Sequence, residues 1–150
     1  MPRIEVITRI QAPINQVFDL ARSVELHEQS QRSHRERAVA GATSGLLELD
    51  DEVTWEAVHF GIRQRLTSRI TQMRAPTFFR DSQVSGAFKR FDHDHQFESL
   101  PDGSTRMTDV FNYTAPFGPL GRLADALFLK RYMTRLLEER NHILKQVAEP

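Results

Sequence analysis

Cysteine is absent from the 150 residues of this chain, which excludes disulfides, thiolate nucleophiles and cysteine-ligated zinc. An excess of either charge is also absent. Twenty Lys and Arg balance twenty Asp and Glu, for a formal net charge of zero. A neutral chain has no electrostatic footprint for nucleic acid and little pull toward anionic membranes. The expected partners therefore include no nucleic acid and no stable membrane insertion. No apolar run approaches the ~20 residues that span a bilayer. The opening stretch MPRIEVITRIQAP carries charges throughout and lacks an apolar signal core, so a cytoplasmic location is expected. Glycine and proline are sparse, seven of each, and form no linker, so one domain over residues 1–150 is expected. Trp occurs once and Tyr twice, against ten Phe, which points to a phenylalanine-rich interior. No Gly-x-Ser-x-Gly elbow and no phosphate-binding loop is present, and no cofactor is expected.

The pattern that is present has two periods. Ile4, Val6 and Ile10 alternate with Glu5, Ile7 and Arg9, as in a strand. Ala12-Pro13 ends it, and Val17, Phe18, Leu20 and Ala21 then give a short helical face, with a second short helix near Val24–Glu28. From Ser33 to Thr114 period two dominates. Ile62, Gln64, Leu66, Ser68 and Ile70 face one way, and Arg63, Arg65, Thr67, Arg69 and Thr71 the other. The arginine row reads as a solvated face, with Glu56 pairing with Arg65 across the bend at Phe60-Gly61. Residues 120–147 form one helix, with Ala126, Leu129, Met133, Leu136, Ile143 and Val147 on a stripe that Arg140 interrupts. The order predicts an α+β fold: a curved antiparallel sheet of six or seven strands around a long C-terminal helix, with two short helices after strand 1. A sheet that grips a helix leaves a concave space, and such spaces bind ligands.

Four runs carry a resemblance: VTWEAVHFGIRQRLTSRI, GAFKRFDHDHQFE, GSTRMTDVFNY and APFGPLGRLADALFLKRYM. Over nearly the whole chain they resemble the START-like, or SRPBCC, superfamily, the helix-grip fold of birch-pollen-allergen and polyketide cyclase/dehydratase proteins. The similarity is to a bacterial branch of single-domain proteins. The resemblance implies a deep hydrophobic cavity between sheet and C-terminal helix, but no single function. Members bind lipids, quinones, hormones or polyketides, and some catalyse reactions.

His93-Asp94-His95 is the most pointed local feature. On a strand both imidazoles share the face of Phe91 and Phe97, the inward one, while Arg90, Asp92, Asp94 and Gln96 face solvent. Buried imidazoles need partners. A hairpin turn at Asp102-Gly103 puts His95 opposite Asp109, Phe97 opposite Met107 and His93 opposite Phe111. The candidate catalytic pair is thus His95 with Asp109, expected within hydrogen-bond reach. His-x-His also presents two nitrogens to a metal, with His59 or Asp109 as the third ligand, but spacing does not settle that ligand and no metal is expected. His27 lies near the cavity mouth and reads as a surface or capping residue.

The expected ligand-binding set is Trp55, His59, Gln64, Phe91, His93, His95, Met107, Asp109, Phe111 and Met133. The favoured function is binding of a small hydrophobic or aromatic molecule that is lipid-, quinone- or polyketide-like. One alternative is an aromatase/cyclase- or dehydratase-type enzyme that uses His95 with Asp109. Another is a protein-interaction module whose cavity is filled. Leu127, Phe128 and Tyr132 fall outside the helix stripe and leave room for a homodimer contact.

Overall fold

The computed structural model describes residues 2–150. Seven antiparallel strands form one sheet in the order β1-β7-β6-β5-β4-β3-β2. They are β1 (Arg3–Ile10), β2 (Arg37–Gly41), β3 (Glu52–His59), β4 (Ile62–Arg74), β5 (Phe78–Ser85), β6 (Arg90–Ser99) and β7 (Thr105–Thr114). Strands β2 to β7 follow one another as a meander, and β1 closes the edge against β7. Helices α1 (Ile14–Ala21) and α2 (Val24–Ser30) fill the connection from β1 to β2. In α2 the Ser23 hydroxyl accepts the backbone N–H of Leu26 at 3.2 Å, the cap that starts the helix.

The alternations in the sequence become the two faces of this sheet. In β6, Phe91, His93, His95 and Phe97 are buried while Asp92 and Asp94 are only partly covered. The β6–β7 register is the one the turn chemistry implied, with His95 opposite Asp109, Phe97 opposite Met107 and His93 opposite Phe111. On the outer face Arg65 Nε donates to Glu56 at 3.0 Å, directly across β3 and β4.

Beyond β7 the chain forms a 31-residue rod: α3 (Gly118–Ala124), a π-helical turn over Asp125–Leu129, and α4 (Lys130–Ala148). The Tyr113 hydroxyl donates to Asp125 and ties the π turn to β7. Gly121 permits the rod's entry. A Cβ there would stand 1.6 Å from the Pro116 carbonyl oxygen, so any larger residue displaces the first turn.

The rod's contact face differs from the apolar stripe. Its buried residues in α4 are Leu137, Arg140, Asn141, Leu144 and Ala148, while Val147 is exposed. Arg140 does not interrupt the packed face but belongs to it, because a buried carboxylate on the sheet meets it. Leu129, Met133 and Leu136 turn instead toward an internal cavity. The interior is divided accordingly. One cluster, with Ile10, Phe18, Phe79, Phe97, Met107 and Leu144, is closed by α1 and the end of α4. A second, with Ile4, Phe91, Phe111, Tyr113 and Leu137, backs the cavity.

Candidate functional site

The cavity has a volume of about 690 Å³ and lies between the concave sheet face and the rod. That is within the range of about 300–1,000 Å³ typical of small-molecule sites. Of the expected set, Trp55, His59, Gln64, Phe91, His93, Phe111 and Met133 line it. His95, Met107 and Asp109 do not. Met107 is fully buried in the other cluster, opposite Phe97 and beyond the cavity's closed end. His95 and Asp109 lie behind the wall, because His93 and Arg140 stand between them and the open space. Among the other aromatics, Phe88 lines the cavity, whereas Phe78, Phe79, Phe97 and Tyr113 do not.

The closed end carries a buried polar cluster whose bonds run diagonally across the sheet. Asp109 on β7 faces His95 in the register, yet its Oδ1 accepts from His93 Nε2 at 2.8 Å. Asp81 on β5 faces His93, yet its Oδ1 accepts from His95 Nε2 at 2.7 Å. The two imidazoles stack with centroids 3.8 Å apart, and Phe79 stacks on the outer face of His95 at 4.0 Å. His95 Nδ1 is buried 3.4 Å from Asp109 Oδ1, and among the described residues it has no closer hydrogen-bond partner. The expected His95–Asp109 pair is therefore within reach, as a 3.4 Å ion pair, while the shorter bond of Asp109 goes to His93. The twist of the sheet offsets side-chain tips from their Cα partners, so the diagonal neighbours meet first.

The rod completes the cluster. Arg140 Nη1 donates to Asp109 Oδ1 at 3.2 Å and Asn141 Nδ2 to Asp109 Oδ2 at 2.7 Å. Arg140 Nη2 reaches the Ala21 carbonyl at the end of α1, at 3.1 Å, where a cation complements the helix terminus. Burial pushes the Asp109 carboxyl up, but His93, the neighbouring His95 and the Arg140 guanidinium outweigh it and hold it well below the ordinary carboxylate range. Asp81 is likewise lowered, with His95 and then His93 overcoming burial. Burial, followed by the charge of His95, lowers His93. Burial also opposes charge on His95, but Asp109 and Asp81 prevail and its pKa is raised. The surroundings thus push the two imidazoles in opposite directions, His95 toward its charged form and His93 toward its neutral form, with His93 Nε2 turned to Asp109.

Three of these groups reach the cavity: Asp81, His93 and Arg140. Asp81 and Arg140 were not in the expected set. A signal for each is present in the sequence. Asp81 has the parity of Phe79 on an inward strand face, and Arg140 is a lone charge in an apolar stripe. The metal-ligand geometry also differs from expectation. His59 is remote from the His-x-His pair, hydrogen-bonded through Nδ1 to the Tyr132 hydroxyl at 2.7 Å and packed on the His34 ring at 4.9 Å. The carboxylate that forms a metal-sized group with both imidazoles is Asp81, while Asp109 also approaches both rings from their other nitrogens.

Another part of the cavity is lined from α2, β3 and the rod. His27 lines it while remaining partly exposed, with its ring tilted against Trp55 at 4.2 Å and paired with Glu36 at 2.5 Å. Phe128 and Tyr132 line it too, although Phe128, like Leu127, remains exposed. Burial lowers the pKa of His59, helped by the neighbouring His34.

Residues 1–149 match the family described as polyketide cyclase / dehydrase and lipid transport. The chain belongs to this family. Similar solved structures extend over nearly all of it. A protein of Thermus thermophilus is 21% identical with a TM-score of 0.73, over 99% of this chain and 100% of that one. A START superfamily protein of Mycobacterium smegmatis is 10% identical with a TM-score of 0.74, over 97% and 96%. The major latex-like protein 151 of Panax ginseng is 12% identical with a TM-score of 0.67, over 99% and 98%. At these identities the likeness is one of fold, the START-like helix grip. No curated protein matches. Among the described residues no helix is long and apolar enough to cross a membrane.

Proposed function

We propose that the chain binds a small hydrophobic molecule in the cavity between sheet and rod, with the molecule's apolar body among Trp55, Phe91, Phe111 and Met133. Membership of the polyketide cyclase / dehydrase and lipid transport family supports hydrophobic ligand binding in general. The observation that carries the more specific reading is the asymmetry of the cavity. Its walls are mostly aromatic and aliphatic; of its two carboxylates, Glu36 pairs with His27, whereas Asp81 sits beside His93 and Arg140 and is bonded through a single oxygen to His95. A ligand hydroxyl or enol placed there donates to Asp81, so a lipid-, quinol- or polyketide-like molecule with one hydroxylated end fits best. The filled interior required by an interaction module is not what a 690 Å³ cavity offers.

The test is titration with a fluorescent apolar probe, together with native mass spectrometry of protein purified from its own host. Saturable binding to a single site is expected. Ala57 is buried and lines the cavity, so Ala57→Phe should fill the space and weaken the probe at least about tenfold while the chain stays folded. Probe binding that is unsaturable, or untouched by Ala57→Phe in a folded chain, would overturn the reading.

A second reading, a cyclase/dehydratase-type enzyme, is favoured by the same carboxylate. Asp81 rather than His95 reaches the cavity, so Asp81 would take the proton from an enolisable carbon, with His95 behind it as the positioning residue. Turnover of a polyketone-like substrate that disappears in Asp81→Asn, with binding retained, distinguishes this reading from binding alone.

A further inference from the structure

The two imidazoles at the closed end are arranged oddly for groups whose only task is to be buried. Each ring turns one nitrogen toward Asp81 and the other toward Asp109. For His93, Nδ1 lies 3.8 Å from Asp81 Oδ1 and Nε2 lies 2.8 Å from Asp109 Oδ1. For His95, Nε2 lies 2.7 Å from Asp81 Oδ1 and Nδ1 lies 3.4 Å from Asp109 Oδ1. Asp109 therefore stands behind both rings, and Asp81 in front of both.

We infer that Asp81, His93 and His95 form a binding site for one divalent transition-metal ion of the zinc type, with Asp109 as the outer carboxylate that orients both imidazoles. One ligand atom from each of the three residues already lies within 4.8 Å of the other two. A tetrahedral ion with Zn–N and Zn–O bonds of about 2.0–2.2 Å sets its ligand atoms roughly 3.3 Å apart. The present separations of 2.7 and 3.8 Å from Asp81 straddle that value, so side-chain shifts of less than about 1 Å close the site.

Two further observations point the same way. The bond from His93 Nε2 to Asp109 leaves Nδ1 of that ring with its lone pair toward Asp81, the outer-carboxylate device found behind metal-bound histidines. Among the described residues, the buried His95 Nδ1 has no well-formed hydrogen bond, only Asp109 Oδ1 at 3.4 Å. An ion on Nε2 of that ring requires the hydrogen on Nδ1, where Asp109 Oδ1 is the group waiting to accept it. Arg140 and Asn141 in turn hold Asp109 in place. Two nitrogens and one carboxylate suit zinc, iron(II) or cobalt(II) and are poor for calcium or magnesium. Asp81 and His93 line the cavity, so the fourth position opens toward it. The site does not depend on an apolar ligand being bound.

The experiment is a titration of the full chain, stripped with a chelator and desalted, first with Co²⁺ and then with Zn²⁺. One Co²⁺ per chain is expected, with the visible absorption of a tetrahedral or five-coordinate ion, displaced by one Zn²⁺. Asp81→Asn, the most conservative change at the least buried ligand, should weaken Zn²⁺ by at least about a hundredfold, and so should His93→Gln. Asp109→Asn, which leaves the ligands intact, should weaken it about 10–100-fold. His34→Gln should leave it unchanged. Circular dichroism establishes that each variant is folded, and Asp81→Asn decides the matter if a histidine variant is not. No Co²⁺ binding by the wild type, binding that survives Asp81→Asn, or binding that is lost in His34→Gln would each overturn the assignment. Apolar-probe binding, measured separately, reports on the cavity and not on the ion.

Discussion

Asp109 accepts its hydrogen bond from His93, two residues away from its register partner His95. That diagonal joins the sheet to the rod, since the same carboxylate holds Arg140 and Asn141. Asp109 and Arg140 are both buried. Removing one partner of such a pair strands the other as an uncompensated buried charge, at a cost of about 3–5 kcal/mol.

Asp109→Ala should therefore destabilise the chain by about that amount, and the double variant Asp109→Ala/Arg140→Leu by much less than the sum of the two singles. Urea unfolding of the four chains in this cycle measures the coupling. Additive losses would show that the carboxylate and the guanidinium act independently.

The two histidines should titrate in opposite directions. In metal-free protein, His95 should have its midpoint above the ordinary imidazole value and His93 below it, as followed by ring-proton NMR. Asp81→Asn should bring His95 down, because it removes an anion that favours the charged ring. Unchanged His95 midpoints in Asp81→Asn would contradict the pairing.

Stability should follow from these shifts. A raised folded-state pKa means that His95 binds its proton more tightly in the folded chain. Its contribution is complete below about pH 6.5 and disappears as pH rises through the raised value. His93 has the opposite sign, so lowering pH through about 6.5 costs stability as the unfolded chain takes up that proton. The lowered carboxyls of Asp81 and Asp109 contribute fully above about pH 4 and lose their effect as acid approaches their depressed values. Denaturation of wild type and His95→Gln across pH isolates the first of these. Their difference should shrink above about pH 6.5, and a difference that grows there would be wrong in sign.

Gly121→Ala should be costly although alanine is the better helix former. Its methyl group meets the Pro116 carbonyl, and overpacking of this kind typically costs about 1–3 kcal/mol. Thermal unfolding would show it. A stabilised variant would mean that the start of the rod adapts freely.

Period two across Ser33 to Thr114 determined the strands, and Asp102-Gly103 determined the β6–β7 register, because alternation and turn chemistry are local properties of the chain. They sufficed to place His93, His95, Phe97 and Asp109 inside. The same local logic read Arg140 as a fault in a stripe and left Asp81 unnoticed. Which side-chain tips meet depends on sheet twist and on how a distant helix lies across it. Tertiary structure alone therefore paired Asp109 with His93, brought Asp81 to both imidazoles, and seated Met107 in the closed cluster instead of the cavity. It also decided that the cavity stays open, because sheet curvature and the entry of the rod at Gly121 set the distance between walls whose residues the sequence could only name.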